Sequence, residues 1–265
     1  MSVVMDTQCP FCSVQCKMQI VENEEKGKKT YTVRPKQNAA SEGRLCIKGM
    51  NAYQHALSME RITKPLMKKN GEFIPISWED AFSYIAKKIN DLQQTYGKDV
   101  VGVYGGGSLT TETAYLLGKF ARVALQTKYI DYNGRFCMSS AASAANQAFG
   151  IDRGITNSLS EIPDSKCIIL AGTNIAECQP TLMAYFEKAK ENGSYIIVVD
   201  PRETATAKMA DLHLKVKPGK DAALANGLLK VLIDENYIDE SFISERTNGF
   251  DEVKAYISTL SFEEI

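Results

Sequence analysis

The residues of this chain best suited to chemistry are its seven cysteines, at positions 9, 12, 16, 46, 137, 167 and 178. Three crowd into Cys9-Pro10-Phe11-Cys12-Ser13-Val14-Gln15-Cys16, and Cys46 follows after a longer interval. An odd number of thiols, crowded in this way, suits metal binding or catalysis better than disulfides. His55 and His213 are the only histidines, so a metal here is held mostly by sulfur. Four thiolates hold either a tetrahedral zinc ion or a 4Fe–4S cluster. Zinc ligands usually come in two close pairs. Three close ligands and one distant one suit a cubane, whose irons occupy different corners. Spacing alone leaves both open, and iron and sulfide analysis separates them.

Cys137 is the next candidate. It lies in Asn133-Gly134-Arg135-Phe136-Cys137-Met138-Ser139-Ser140-Ala141, where a short strand passes into a helix. A helix N-terminus favours the thiolate, the form that binds a metal. The same position also fits a half-buried structural cysteine. Cys167 and Cys178 read as packing residues.

Three further runs suit a nucleotide. Gly172-Thr173-Asn174-Ile175-Ala176-Glu177 follows a strand and precedes a helix, so its backbone N–H groups can cradle a pyrophosphate. Asp200-Pro201-Arg202-Glu203-Thr204 ends the next strand. There Asp200 suits ribose hydroxyls and Arg202 and Thr204 suit phosphate. Gly219-Lys220-Asp221 opens a helix, and Asp221 either accepts from a guanine edge or caps that helix. Gly105-Gly106-Gly107 is a weak nicotinamide signal, because Thr110 occupies the last glycine place of G-x-G-x-x-G.

The elements that position these groups follow from periodicity. Period-two alternation at 17–21 and 30–33, around the charged stretch 22–29, predicts a hairpin between the third and fourth cysteines. Ser77 announces a helix with apolar positions to Leu92, ended by Gly97. Strands are expected at 100–104, 129–131, 167–170 (buried), 194–200 and 212–216. Helices are expected at 111–125, 139–149, 180–192 and 221–234. Strands alternating with helices predict parallel sheets, with ligands at the carboxyl ends of strands. The resulting division is 1–64, 65–148 and 149–265.

Composition narrows the class. Lys and Arg total 31 against 32 Asp and Glu, a balance that argues against a nucleic-acid partner. Hydrophobic residues make up 44% and charged ones 24%, ordinary for a globular chain. No long apolar run predicts membrane insertion. The first residues carry no secretory signal, so the expected setting is cytoplasmic.

The run Cys9 to Cys16, followed by Gly43-Arg44-Leu45-Cys46-Ile47-Lys48-Gly49, resembles the opening of the molybdopterin oxidoreductases. That family includes assimilatory and periplasmic nitrate reductases and formate dehydrogenases. The resemblance implies that Cys9, Cys12, Cys16 and Cys46 hold a 4Fe–4S cluster. It also places Lys48 between cluster and pterin, where a cation stabilises added electrons. Taken alone, Lys48 reads as a surface lysine. The run 133–141 closely resembles the molybdenum-ligand segment of assimilatory nitrate reductases, which makes Cys137 the molybdenum ligand. Formate dehydrogenases carry a histidine directly after that ligand, whereas this chain has Met138.

By the same resemblance, the three nucleotide runs bind one of two molybdopterin guanine dinucleotides. Ser108 and Asn133 fall on cofactor-contacting places, although Ser108 departs from the Gln of periplasmic nitrate reductases. The implied fold class is α/β. A small amino-terminal cluster domain of short β-strands precedes doubly wound, mostly parallel units that are expected to be truncated.

The implied activity is reduction of nitrate to nitrite, with electrons from a ferredoxin or a flavin- or NADH-dependent subunit. Formate oxidation is the nearest alternative. A zinc- and nucleotide-binding module and a molybdenum-free iron–sulfur carrier are more distant ones. Ser261-Phe262-Glu263-Glu264 announces a helix one residue before the end, which predicts a fragment inactive alone.

Overall fold

The computed structural model describes residues 2–25, 27–152 and 157–263. The chain is mixed α/β and divides into two compact units, 1–157 and 158–265.

The first unit opens with an antiparallel sheet in the order β1 (Ser2–Gln8), β2 (Lys17–Glu25) and β3 (Lys28–Pro35). The hairpin β2–β3 is longer than its alternating residues suggest. β1 lies outside the expected elements for a physical reason. A bulge between Val3 and Met5 breaks its register, and Val3, Val4 and Met5 are all exposed, so no period-two signal arises. Met18, Val21 and Val33 are buried together with Val14, Cys9 and Cys16.

Two short helices follow, α1 (Ile47–Met50) and α2 (Gln54–Leu57). Then β4 (Leu66–Lys69) pairs antiparallel with β5 (Glu72–Pro75). This second hairpin also goes beyond the expected elements. Its signal is Asn70-Gly71, whose φ values of 50° and 91° meet the two left-handed positions of a tight hairpin turn.

α3 (Trp78–Tyr96) starts and stops where expected. The Ser77 hydroxyl accepts from the Asp80 N–H at 3.0 Å, and Gly97 leaves the helix at φ 88°. Ser77→Ala removes that cap and should cost about 1 kcal/mol in urea unfolding. A stability unchanged within a few tenths would show the cap to be idle.

β6 (Val103–Gly105) leads to α4 (Thr111–Lys119), which widens into a π-helical turn over Phe120–Leu125. β7 (Ile130–Tyr132) lies parallel to β6 and feeds directly into α5 (Gly134–Phe149). α5 therefore begins five residues before the expected 139, so Cys137 sits inside its first turn.

The second unit is a parallel sheet in the order β10-β9-β8. β8 (Cys167–Ala171) turns into α6 (Ile175–Cys178), and α7 (Met183–Glu191) returns to β9 (Tyr195–Val199). α8 (Ala205–Met209) then connects to β10 (Leu212–Leu214). Leu170, Ile175, Phe186, Ile196, Val198 and Ala207 form its core. β8 differs from the expected buried strand. It is an edge strand, and its alternate residues Cys167 and Ile169 are exposed, Ile169 by 59%. α9 (Asp221–Asp234), α10 (Glu240–Arg246) and α11 (Phe250–Ser258) complete the unit. The helix expected to open at Ser261 falls partly on residues 264–265, which lie outside those described, and Phe262 and Glu263 form a turn.

Among the described residues, no helix is long and apolar enough to cross a membrane.

Candidate functional site

The four leading cysteines converge on one end of the antiparallel sheet. Cys9 follows the last residue of β1 and Cys16 precedes the first residue of β2. The loop between them closes on itself: Cys9 N–H donates to the Cys16 carbonyl at 2.9 Å and Gln15 N–H to the Cys12 carbonyl at 3.2 Å. Gln15 turns the chain at φ 49°.

Cys46 is the residue capping α1, whose Gly49 lies against Cys9 of the loop. Gly49 makes that approach possible. A Cβ there would lie 2.9 Å from Leu45 Cδ2 and 3.5 Å from Cys9 Sγ. Asn38 ties the two segments together, its side chain accepting from Ser41 N–H at 2.9 Å and donating to the Gln15 carbonyl at 3.3 Å. Asn38 has no motif around it, so periodicity gives no hint of this role.

Cys9 and Cys16 are buried, while Cys12 and Cys46 are half-buried. Burial pushes the Cys9 thiol above its ordinary pKa, a bond from Phe11 N–H pulls it down, and Cys16, Cys12 and Cys46 push it up again. All four sulfurs therefore share one electrostatic neighbourhood. Yet among the described residues no three Cys, His, Asp or Glu groups close on a point tightly enough for a single ion. A cubane takes one thiolate at each of four irons, so a wider set of this kind fits it better than zinc. Lys48 is half-buried on α1, two residues beyond Cys46.

Cys137 stands in a different setting. β6 and β7 run parallel and end together, with Gly105 opposite Tyr132. Asn133 joins the two ends: its N–H donates to the Gly105 carbonyl at 3.2 Å and its side-chain oxygen accepts from Gly107 N–H at 2.7 Å. Ser108 is exposed in the same turn. Cys137 is exposed one turn into α5, with Met138 half-buried beside it. A Cβ at Gly134 would lie 2.3 Å from the Tyr132 ring, so any other residue there must displace that exposed side chain. Ser108, Asn133 and Cys137 thus gather at one sheet mouth, with Asn133 as the clamp.

The nucleotide runs gather in the second unit. Gly172 turns at φ 63°, its N–H donating to the Val199 carbonyl at 2.9 Å. Asp200 is buried, and one carboxylate oxygen accepts from Arg202 N–H at 2.7 Å. Its backbone carbonyl meets His213 Nε2 at 2.8 Å and its N–H donates to the Leu214 carbonyl at 3.2 Å. Thr204 is buried as the cap of α8, its hydroxyl accepting from Ala207 N–H at 3.1 Å, which leaves its own proton to donate. Lys220 occupies the capping place of α9, with Gly219 at φ 83° before it. Asp221 is the first helical residue, and α9 carries no side-chain cap. The capping alternative for Asp221 is therefore not the one adopted, and its exposed carboxylate is open to another donor. His213, which meets Asp200, and Thr206, which stands beside Asn174, touch these runs without having been singled out by the motifs.

Comparison with known proteins gives two matches along the chain. Residues 2–58 match the molybdopterin oxidoreductase Fe4S4 domain and residues 61–260 match molybdopterin oxidoreductase. The chain is 65% identical, over 98% of its length, to the assimilatory nitrate reductase catalytic subunit of Bacillus subtilis, and covers 37% of that protein. It is 30% identical, over 98% of its length, to formate dehydrogenase H of Escherichia coli, again covering 37%. The chain thus spans little more than a third of these relatives. Acetylene hydratase from Pelobacter acetylenicus shares the fold, with a TM-score of 0.76 at 24% identity over 96% of this chain and 35% of that one. With four clustered thiols at one end, a lone thiol at a parallel-strand mouth, and both matches, the chain belongs to the molybdopterin oxidoreductases.

Proposed function

We propose that the protein reduces nitrate to nitrite and water, taking up two electrons and two protons for each nitrate. The observation that carries this reading is Cys137 at the end of the first turn of α5, followed directly by Met138. When bound there, a molybdenum bis-molybdopterin guanine dinucleotide supplies the two-electron chemistry that takes an oxygen atom from the substrate. Cys137, exposed on α5 at the mouth of the β6–β7 pair, would hold the metal. Met138 offers neither a proton acceptor nor a donor, which suits oxygen-atom removal from nitrate over proton or hydride removal from formate. The 65% identity to an assimilatory nitrate reductase subunit supports the same choice.

The remaining residues bind and position. Cys9, Cys12, Cys16 and Cys46 hold the 4Fe–4S cluster, and the half-buried Lys48 places a cation beside it. Asn133 and Ser108 line the mouth around Cys137. Thr173, Asn174 and Ile175 offer N–H groups to a pyrophosphate. Gly172, Ala176 and Glu177 shape that turn. Asp200 accepts from ribose, Arg202 and Thr204 meet phosphate where Pro201 ends the strand, and Asp221 accepts from guanine beyond Gly219 and Lys220.

The electron donor is a ferredoxin or a flavin- or NADH-dependent subunit. Residues 1–77 contain twelve Lys and Arg against seven Asp and Glu, a net of +5 within a chain of net −1. That surplus surrounds the cluster cysteines in sequence and suits an acidic carrier. A reducing, cytoplasmic setting accords with the free thiols.

The full-length enzyme, given reduced methyl viologen, should consume nitrate, and given oxidised viologen should leave formate untouched. Formate oxidation without nitrate reduction would overturn the assignment. The 265-residue chain alone should be inactive, because it covers so little of its relatives' length.

A further inference from the structure

A buried hydroxyl stands behind the turn that follows β8. Thr206 is fully buried, and its Oγ1 lies 3.0 Å from Ala176 N and 2.9 Å from Asn174 Oδ1. Ala176 N–H has only a proton to give, so Thr206 accepts there. The hydroxyl's own proton then needs an acceptor, since a buried unpaired donor is costly. Among the described residues Asn174 Oδ1 is the acceptor in reach. That fixes which way round the Asn174 amide sits. Its oxygen faces Thr206, which leaves its two N–H groups without a partner among the described residues.

The same bonds decide which backbone donors remain. Gly172 N–H is taken by Val199, Ala176 N–H by Thr206, and the N–H groups of Glu177 and Cys178 by the Asn174 carbonyl. Among the described residues, no partner takes the N–H groups of Thr173, Asn174 or Ile175. The open donors are therefore three consecutive backbone N–H groups and one side-chain amide beside them.

We propose that Thr206 is a positioning residue for dinucleotide binding: it locks the Asn174 amide with its N–H2 side toward the phosphate. Unlocked, the amide rotates freely about χ2 and presents its oxygen to an anion as readily as its N–H groups. The hydroxyl removes the repulsive orientation. This rests on the dinucleotide reading of the turn, and the test separates the two.

The measurement is GMP released by mild acid per polypeptide in purified full-length enzyme, with thermal unfolding of enzyme from cells unable to make the pterin. Asn174→Ala should lower GMP retention by about tenfold, the scale of one bond to a charged group. Thr206→Val should lower it by a similar factor, and Thr206→Ser should restore it. Added to Asn174→Ala, Thr206→Val should cause no further loss, because it acts through that amide. Asn174→Asp keeps the acceptor for Thr206, so it should unfold like the parent yet retain less GMP than Asn174→Ala. This variant tests the idea even if Thr206→Val folds poorly. Equal losses from Thr206→Val with and without Asn174 would make Thr206 merely structural and overturn the proposal. So would full GMP retention in Thr206→Val or in Asn174→Asp. Full retention in Asn174→Ala would instead sink the dinucleotide reading of this turn.

Discussion

Cys137→Ser in the full-length enzyme should lower nitrate reduction by about 10³-fold or more while the visible absorbance of the 4Fe–4S cluster persists. Loss of a group that merely orients a metal ligand already costs 10- to 100-fold, and here the ligand itself goes. A thiol ionises near neutral pH and an alcohol does not, so serine offers no comparable anion. The structure makes the experiment clean. Cys137 is exposed, and among the described residues it has no hydrogen-bond partner, so exchanging sulfur for oxygen should shift stability by no more than about 0.5 kcal/mol. Inactivity with an unchanged unfolding curve therefore reports on chemistry rather than folding. A variant retaining a tenth of the parental rate would remove Cys137 from the metal.

Cys9→Ala should have the largest structural effect. Cys9 is buried, and Gly49 of α1 approaches it so closely that an added Cβ would lie 3.5 Å from its sulfur. Residues 2–58 bury few side chains of their own, chiefly Val14, Met18, Val21, Val33 and Ala52. A segment of that size is marginal on its hydrophobic core alone, and metal binding supplies further folding energy. Without Cys9 the cluster loses a corner, and the loop loses what holds α1 to β1 and β2. The purified variant should contain close to no iron and sulfide. Its first 58 residues should fall to limited proteolysis while the second unit resists. Full iron content in Cys9→Ala would refute the ligand set.

Much of this was legible beforehand, and the exceptions have causes. The ends of α3 could be placed because Ser77 and Gly97 act locally. The capping hydroxyl and the left-handed exit each need only their own few residues. β9 was legible because Ile196, Val198 and Val199 are buried in an uninterrupted apolar run. β1 was not, since its bulge and exposed residues erase alternation. The four cluster cysteines were visible as a set, because residue type and spacing carry the signal. Asn38, Thr206 and His213 were invisible for the opposite reason. Their importance lies in partners 23, 32 and 13 residues away in sequence, and no local pattern encodes such a bond. β8 shows a third kind of difference. Its apolar sequence read as buried, and it is an edge strand instead.

That open strand has a consequence for how the protein is made. The chain exposes 19174 Å², whereas two separate compact domains of the units' sizes would expose about 14,000 Å² together. Ile169, Tyr195 and Tyr104, all on parallel strands, contribute to the excess, and so does Phe136 at 89% exposure. A ribosome adds about 5–20 residues per second. In a protein of its relatives' length, these faces would wait on the order of tens of seconds for their cover. During that wait an apolar strand edge is a template for its neighbours. Yield of the bare chain should therefore fall as expression is driven harder. In a protein of its relatives' length, a chaperone that covers these faces would act on this interval, where stabilising either unit would not.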